Sequence, residues 1–308
     1  MIGVVLERQG ATLRVQTEGG EVRAVLRGRL KQGETDHVVA GDVVDFEQGA
    51  DGPATITGMR PRKSVLARRA AGERDSHRAQ PIVANVDQVV VVTAAREPDP
   101  NLRMLDRFLV IAAANDLPAV IVVNKVDLDR GAVERLGARF GPARYRIVAT
   151  SVRTGALGGL GAILEGRASV LAGPSGVGKS SLLNALYPGL GLRTGGVSER
   201  FGAGRHTTRA AVLVPLDARG GFVADTPGLR EVGTWALDPN ALAACFPEFR
   251  PFLDRCRFDN CRHMLEPDCA VREAAGAGAF DADRLASYQR LFEEVNVPAW
   301  SSGRGRPH

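Results

Sequence analysis

The sequence predicts an α/β protein of three parts: an N-terminal β-barrel, a central domain built on a parallel sheet, and a C-terminal helical domain that binds a metal. Short strand-like segments separated by glycine turns fill residues 1–62. Over 82–234, continuous apolar segments alternate with helical ones, which is the pattern of a parallel sheet covered on both faces. Residues 235–300 are mostly helical and contain a cluster of cysteine and histidine.

The barrel prediction depends on alternating segments with no helical pattern between them, which favours a small barrel of the OB type. These segments are 3–6, 12–15, 22–26, 42–46 and 54–56. Phe46 is the only aromatic residue of 1–62. Residues 63–81 are rich in arginine and indicate a basic linker, and 301–308 indicate a disordered tail.

Size and composition narrow the function classes. The 308 residues, 44% hydrophobic, are enough for two or three domains. The sequence contains no stretch of 18 apolar residues, so no membrane span is predicted. Residues 1–10 indicate a strand rather than a signal peptide, and we therefore expect a cytoplasmic protein. The net charge of +5 is compatible with an RNA partner, although an arginine-rich composition explains it equally well.

A phosphate loop occupies residues 173–180, where the sequence matches G-x-x-x-x-G-K-[ST] between an apolar strand, 169–172, and a helix, 181–186. Its glycines let backbone N–H groups turn toward phosphate oxygens at the positive end of the helix. We expect Lys179 to bind the β- and γ-phosphates as a catalytic group and Ser180 to ligate Mg²⁺. The candidate nucleotide contacts here are Gly173, Pro174, Ser175, Gly176, Val177, Gly178, Lys179, Ser180 and Ser181.

A guanine motif, residues 124–127, follows the apolar strand 119–123. The carboxylate of Asp127 would accept the adjacent N1–H and N2 donors of guanine, a pair that adenine lacks. Asn124 would brace the loop, and Lys125 would lie along the base. A companion loop of Thr150, Ser151 and Val152 follows the strand 145–149 and would meet guanine O6.

A third motif, D-T-P-G, follows the strand 221–224. Asp225 would hold Mg²⁺ through water, and the Gly228 amide would contact the γ-phosphate. In the glycine-rich segment before it, Thr207 or Thr208 would complete the magnesium shell. Leu229 stands where Ras-like enzymes place a water-orienting glutamine, which leaves His206 as the candidate catalytic substitute or as a solvated surface histidine.

The motifs run in the order guanine motif, companion loop, phosphate loop, magnesium side, which is circularly permuted relative to ordinary small GTPases. A permutation is physically permissible because domain termini often lie close together. Further along, Cys256, Cys261, His263 and Cys269 form a closed set of four ligands suited to one structural Zn²⁺. Cys245, in an apolar helical setting, is expected to be a buried core thiol.

Permuted order, GPSGVGKSS at 173–181, RHTT at 205–208, DTPG at 225–228 and the cysteine cluster together resemble the bacterial ribosome small-subunit-dependent GTPase family. The resemblance covers nearly the whole chain. It implies an OB domain, a permuted GTPase domain and a zinc domain. It also implies a late assembly factor that binds the 30S subunit and 16S rRNA and whose GTP hydrolysis the subunit stimulates. The family's zinc ligands and switch histidine carry over onto the four cluster residues and His206. Arg209 replaces a threonine often found there, so the choice between Thr207 and Thr208 stays open.

Two alternatives belong to other classes. One is a P-loop ATPase or small-molecule kinase, which Asp127 disfavours. The other is a zinc-dependent RNA-binding protein with a non-catalytic nucleotide site, which the intact Lys179, Ser180 and Asp225 disfavour. Nothing in the sequence requires a membrane partner or a dimer.

Overall fold

The structure is a computed structural model that describes residues 1–26, 38–49, 52–69, 79–192, 211–216, 220–225 and 237–296. Positions 68, 69, 79 and 225 are described by their backbone alone. Among these residues, no helix combines the length and the apolar character that crossing a bilayer requires.

The N-terminal part is a closed five-stranded barrel with strand order β1-β2-β3-β5-β4, sealed by antiparallel pairing of β1 with β4. This strand order confirms the predicted OB-type barrel. Alternate side chains point inward, and Leu13, Val15, Phe46 and Ile56 form the centre of its core. The strands are β1 (Ile2–Gln9), β2 (Thr12–Thr17), β3 (Gly20–Leu26), β4 (Val43–Glu47) and β5 (Ala54–Met59).

The segment expected to be a basic linker is partly regular structure. Strands β6 (Val65–Arg69) and β7 (Ala79–Ala84) form an antiparallel pair. Arginine content hides the apolar residues that explain the pairing, because Leu66 and Val83 are fully buried against the central domain. Immediately before the segment, Arg62 holds the buried carboxylate of Asp42 through two hydrogen bonds of 2.7 and 2.8 Å.

The central domain is a six-stranded sheet of order β10-β9-β8-β11-β13-β12, with apolar clusters on both faces. Five strands are parallel, as predicted, and β12 pairs antiparallel with β13 at one edge. The strands are β8 (Gln88–Ala94), β9 (Ala119–Asn124), β10 (Arg146–Ala149), β11 (Ala168–Ala172), β12 (Val212–Pro215) and β13 (Phe222–Asp225). The helices are α1 (Leu102–Ala114), α2 (Ala132–Phe140), α3 (Leu160–Leu164) and α4 (Lys179–Leu186), followed by the 3₁₀ turn Pro188–Leu190.

The C-terminal domain is helical, as predicted. It consists of the 3₁₀ segments Ala243–Cys245 and Pro247–Arg255 and the helices α5 (Ala270–Gly276) and α6 (Ala282–Val295). Its core includes Phe246, Phe249 and Tyr288, and it extends to Val110 of α1 in the central domain. Cys245 is 6% exposed within this core, which confirms the expected buried thiol.

Candidate nucleotide-binding site and metal centre

The predicted nucleotide motifs meet at one edge of the central sheet. The guanine motif follows β9, the companion loop follows β10, the phosphate loop follows β11, and Asp225 is the last residue of β13. These four strands are parallel, so their carboxyl ends lie at the same edge, where open α/β sheets bind ligands. The structure therefore brings together segments that lie up to about a hundred positions apart in the chain.

Two glycines of the phosphate loop have backbone geometry that side chains rarely adopt. Gly173 has φ of 136° and lies so close to β8 that a Cβ would be 2.1 Å from the Val92 carbonyl oxygen. Gly178 has φ of 94°, and a Cβ there would lie 2.4 Å from the side-chain amide of Asn124. These positions let the backbone turn tightly before α4.

Lys179 begins α4 and turns back over the loop. Its ammonium donates to the carbonyl oxygens of Gly173 and Pro174 at 2.7 and 2.8 Å. Ser180, in the first turn of α4, is 8% exposed. An ammonium in the concave side of a glycine-rich loop at a helix N-terminus creates a strongly anion-attracting site.

Asn124 joins the guanine motif to the phosphate loop. It is 2% exposed, and its amide donates to the Val177 carbonyl at 2.8 Å while its oxygen lies 3.2 Å from the Thr150 hydroxyl. One side chain at the end of β9 thus connects to the segments after β10 and β11. Lys125, at φ of 60°, donates to the carbonyl oxygen of Glu97.

Asp127 is held by two donors. The Ser151 hydroxyl donates to Oδ1 at 2.5 Å, and Arg153 Nε donates to Oδ2 at 2.7 Å. The Ser151 hydrogen bond, with the Arg153 contact adding to it, holds the pKa of Asp127 below its ordinary value. The carboxylate is therefore ionised near neutral pH, with one oxygen bonded to Ser151 and the other to Arg153.

Several predicted residues cannot be placed by contacts. His206, Thr207, Thr208 and Gly228 lie outside the described residues. For Asp225 the backbone alone is described, at the carboxyl end of β13 beside β11.

The four cluster residues converge, with ligand atoms all within 4.8 Å of one another. The Cys256 and Cys269 sulfurs are 4.0 Å apart, and His263 Nδ1 lies 3.6 and 3.4 Å from them. Metal–ligand bonds of about 2.1–2.3 Å in a tetrahedron separate ligand atoms by about 3.5–3.8 Å, so the four residues fit a tetrahedral ion. Burial raises the pKa of the Cys261 thiol to about 12, and a bound cation would offset this by stabilising the thiolate.

The loop that carries these ligands is fixed by further hydrogen bonds. The Glu266 carboxylate accepts backbone N–H groups of Arg262, Met264 and Leu265 at 2.8–3.1 Å. From α6, the Tyr288 hydroxyl donates to the Arg262 carbonyl at 2.8 Å. The ligands are thus prearranged by their surroundings, as in a structural metal site.

Two features of the structure were not predicted from the sequence. The first is the contact between Arg153 and Asp127. The only sign of it in the sequence is that Arg153 directly follows the companion loop, next to the predicted base contact. A buried ionic network also joins the central and C-terminal domains, in which Arg284 contacts Asp106 and Glu248, both at 2.6 Å. No local pattern pairs residues so distant in the chain.

Comparison with known proteins agrees with this geometry. The family model described as RsgA GTPase matches residues 59–235. A relative from Gemmatimonas aurantiaca, called small ribosomal subunit biogenesis GTPase RsgA, is 51% identical over 302 residues, covering 95% of this chain and 97% of its own. A relative of the same name from Moorella thermoacetica is 43% identical, covering 96% and 97%.

Two solved structures have the same fold. YjeQ from Thermotoga maritima is 33% identical with a TM-score of 0.78, covering 96% of this chain and 99% of its own. YloQ, described as a circularly permuted GTPase, is 26% identical with a TM-score of 0.73, covering 99% and 96%. With identity of this level over almost the full length, the chain belongs to the RsgA GTPase family.

Proposed function

We propose that this protein hydrolyses GTP to GDP and phosphate as an assembly factor of the small ribosomal subunit. The observation that carries the proposal is the junction at Asn124, which ties the phosphate loop to the guanine motif at one sheet edge. The likeness to relatives named for small-subunit biogenesis, over 95% of the chain, supports the partner.

In the proposed site, the phosphate loop from Gly173 to Ser181 binds the phosphates. Lys179, which bonds two loop carbonyls, would exchange them for the more negative β- and γ-phosphate oxygens. Ser180 and either Thr207 or Thr208 would hold Mg²⁺, with Asp225 through water. The positive charge of Mg²⁺ would offset the negative charge that develops on the transferring phosphoryl group. The Gly228 amide would contact the γ-phosphate.

Guanine selection rests on Asp127, whose oxygens would accept N1–H and the N2 amine. Ser151 and Val152 would border the base, and Lys125 would lie along its plane. Adenine would leave this ionised carboxylate without donors, which disfavours the ATPase or kinase alternative.

Turnover by the protein alone should be slow, because Leu229 cannot orient a water molecule as a glutamine does. His206 would take that role when a partner is bound. The small subunit is the proposed partner, and its binding would stimulate GTP hydrolysis.

The metal cluster is proposed to hold one structural Zn²⁺. Three cysteines and one histidine leave no open coordination position, so the ion would stabilise the C-terminal domain rather than take part in hydrolysis. Chelation should therefore unfold the ligand loop before it affects the nucleotide site.

Contact with 16S rRNA through the barrel is proposed to be to folded backbone rather than to stacked bases. Phe46, the aromatic residue of the barrel, is 2% exposed and packs inside the core. Apart from Phe46, the described part of the barrel carries no Phe, Tyr or Trp side chain on which a base could stack, so recognition would rest on shape and phosphate contacts that salt weakens. We place the protein in the cytoplasm as a monomer.

The decisive experiment measures GTP hydrolysis by the purified protein alone, with 30S subunits, and with 50S subunits. Stimulation by 30S subunits alone supports the proposal, and Lys179→Ala should abolish it. Equal slow rates in all three conditions would contradict the small subunit as activator. Hydrolysis of ATP at a comparable rate would contradict the guanine site.

A further inference from the structure

Arg153 forms an ion pair with Asp127, the carboxylate that the guanine base would need. Its Nε lies 2.7 Å from Asp127 Oδ2, while the Arg153 side chain is 72% exposed and that of Asp127 is 10% exposed. The arginine therefore reaches from solvent to a largely enclosed acceptor. Ser151, by contrast, is buried and bonds the other oxygen.

The guanidinium and the guanine edge offer the same chemistry to that oxygen. Both present planar N–H donors, and both match the fork geometry of a carboxylate. Guanine needs both oxygens of Asp127, one for N1–H and one for the N2 amine. An approaching base therefore competes with the charge-assisted hydrogen bond from Arg153 for Oδ2.

We propose that Arg153 is an affinity-setting residue of the guanine site, which pairs with Asp127 when the site is empty and is displaced when guanine binds. This inference rests on the proposed guanine site. Because guanine binding breaks the ion pair between Arg153 and Asp127, the ion pair weakens the affinity for guanine nucleotides. For the same reason, re-formation of the ion pair favours nucleotide release.

Two observations argue against a purely structural role for the pair. Ion pairs with one partner so exposed contribute little to folding, since the Arg153 side chain must be ordered and solvent screens its charge. Asn124, rather than Arg153, joins the loops of the site through buried hydrogen bonds. The effect of Arg153 should therefore be seen in nucleotide binding rather than in stability.

The test compares GDP dissociation constants of the full-length protein and of Arg153→Ala, measured by calorimetry in magnesium buffer. The control is Arg146→Ala, which removes an equal charge from an exposed position at the opposite, amino end of β10. We expect Arg153→Ala to bind GDP about twofold to fivefold more tightly, the range of an exposed ion pair. The gain should shrink as salt rises, because the ion pair is screened. Arg146→Ala should bind like the parent protein.

A double-mutant cycle with Asp127→Asn separates this inference from the proposed site. The asparagine amide offers a donor to the O2 of xanthine, so XDP serves as the probe in that background. There, Arg153→Ala should change XDP affinity by less than about 1.5-fold, because a neutral amide no longer holds the arginine.

The outcomes are distinguishable. If Asp127→Asn binds GDP as well as the parent does, the guanine site itself is wrongly assigned. If Asp127→Asn loses GDP but Arg153→Ala leaves GDP affinity unchanged or weakens it, the site stands and the role of Arg153 is overturned. An equal gain from Arg153→Ala in the parent protein and in the Asp127→Asn background would also overturn it, since the gain would not come from this ion pair.

Discussion

Replacing Arg284 by methionine should destabilise the junction between the central and C-terminal domains. Arg284 on α6 is fully buried and donates to Asp106 of α1 and to Glu248, each at 2.6 Å. Its guanidinium also lies 4.6 Å from the centroid of the Phe246 ring. Methionine keeps much of the length and the apolar contacts but removes the charge.

The expected loss of stability follows from the contacts that Asp106 and Glu248 keep once Arg284 is replaced. Asp106 keeps a hydrogen bond of 2.8 Å from Arg139, whereas Glu248, with a side chain 2% exposed, loses its charged partner. Its second oxygen, Oε2, has no partner in the described part of the chain, so the carboxylate is left buried and uncompensated. Removing one member of a buried pair costs about 3–5 kcal/mol.

Differential scanning calorimetry of the metal-loaded protein is the assay. At about 2–4 °C per kcal/mol, the Tm should fall by about 10 °C. Adding Glu248→Gln to Arg284→Met should recover a substantial part of the loss, because the stranded charge is then gone. The exposed Arg146→Ala change should shift the Tm by less than about 2 °C.

Two results would refute the reasoning. A Tm decrease below about 2 °C for Arg284→Met would show that solvent or local rearrangement compensates Glu248. A full decrease with no recovery in the double variant would attribute the cost to lost packing around Phe246 rather than to charge.

Three further predictions concern the two sites. Asn124→Ala should weaken GDP binding by about 30-fold, since two buried hydrogen bonds worth about 2 kcal/mol are lost; calorimetry checks this, and unchanged affinity would contradict the bracing role. The pKa of Asp127 in the folded protein lies below its ordinary value of 3.8. The contribution of the ionised carboxylate is therefore fully present above pH 3.8 and is lost only as the pH falls through the lower folded pKa. GDP affinity measured from pH 8 to pH 5 should therefore show no step assignable to Asp127, and a fall in affinity toward pH 5 with the pH dependence of a single carboxylate would contradict this. Burial raises the pKa of Cys245 to about 11, so iodoacetamide at pH 8 should spare it in native protein, and chelation should expose only the cluster thiols to labelling, as read by mass spectrometry. Rapid labelling of Cys245 before chelation would oppose its buried placement.

The sequence predicted much of the architecture because each motif is a local pattern. Apolar continuity identified the parallel strands β9, β10, β11 and β13, and alternation identified the barrel. Edge strand β12 escaped prediction, since four residues between glycine-rich segments carry little periodicity. The β6–β7 pair escaped because its arginines dominate the composition, whereas the buried Leu66 decides the packing.

Within the site, the sequence by itself determined the chemical inventory: the phosphate loop, the guanine motif, the companion loop and four metal ligands. Their types and spacings suffice because phosphate, guanine and a tetrahedral ion each demand particular donor sets at short range in the chain. Tertiary structure alone decided that Asn124 joins three loops, that Arg153 occupies Asp127, and that Arg284 links the central and C-terminal domains. Those contacts depend on which strand ends and helix faces come together, and pairwise contacts between distant positions leave no periodic or local pattern in a single sequence.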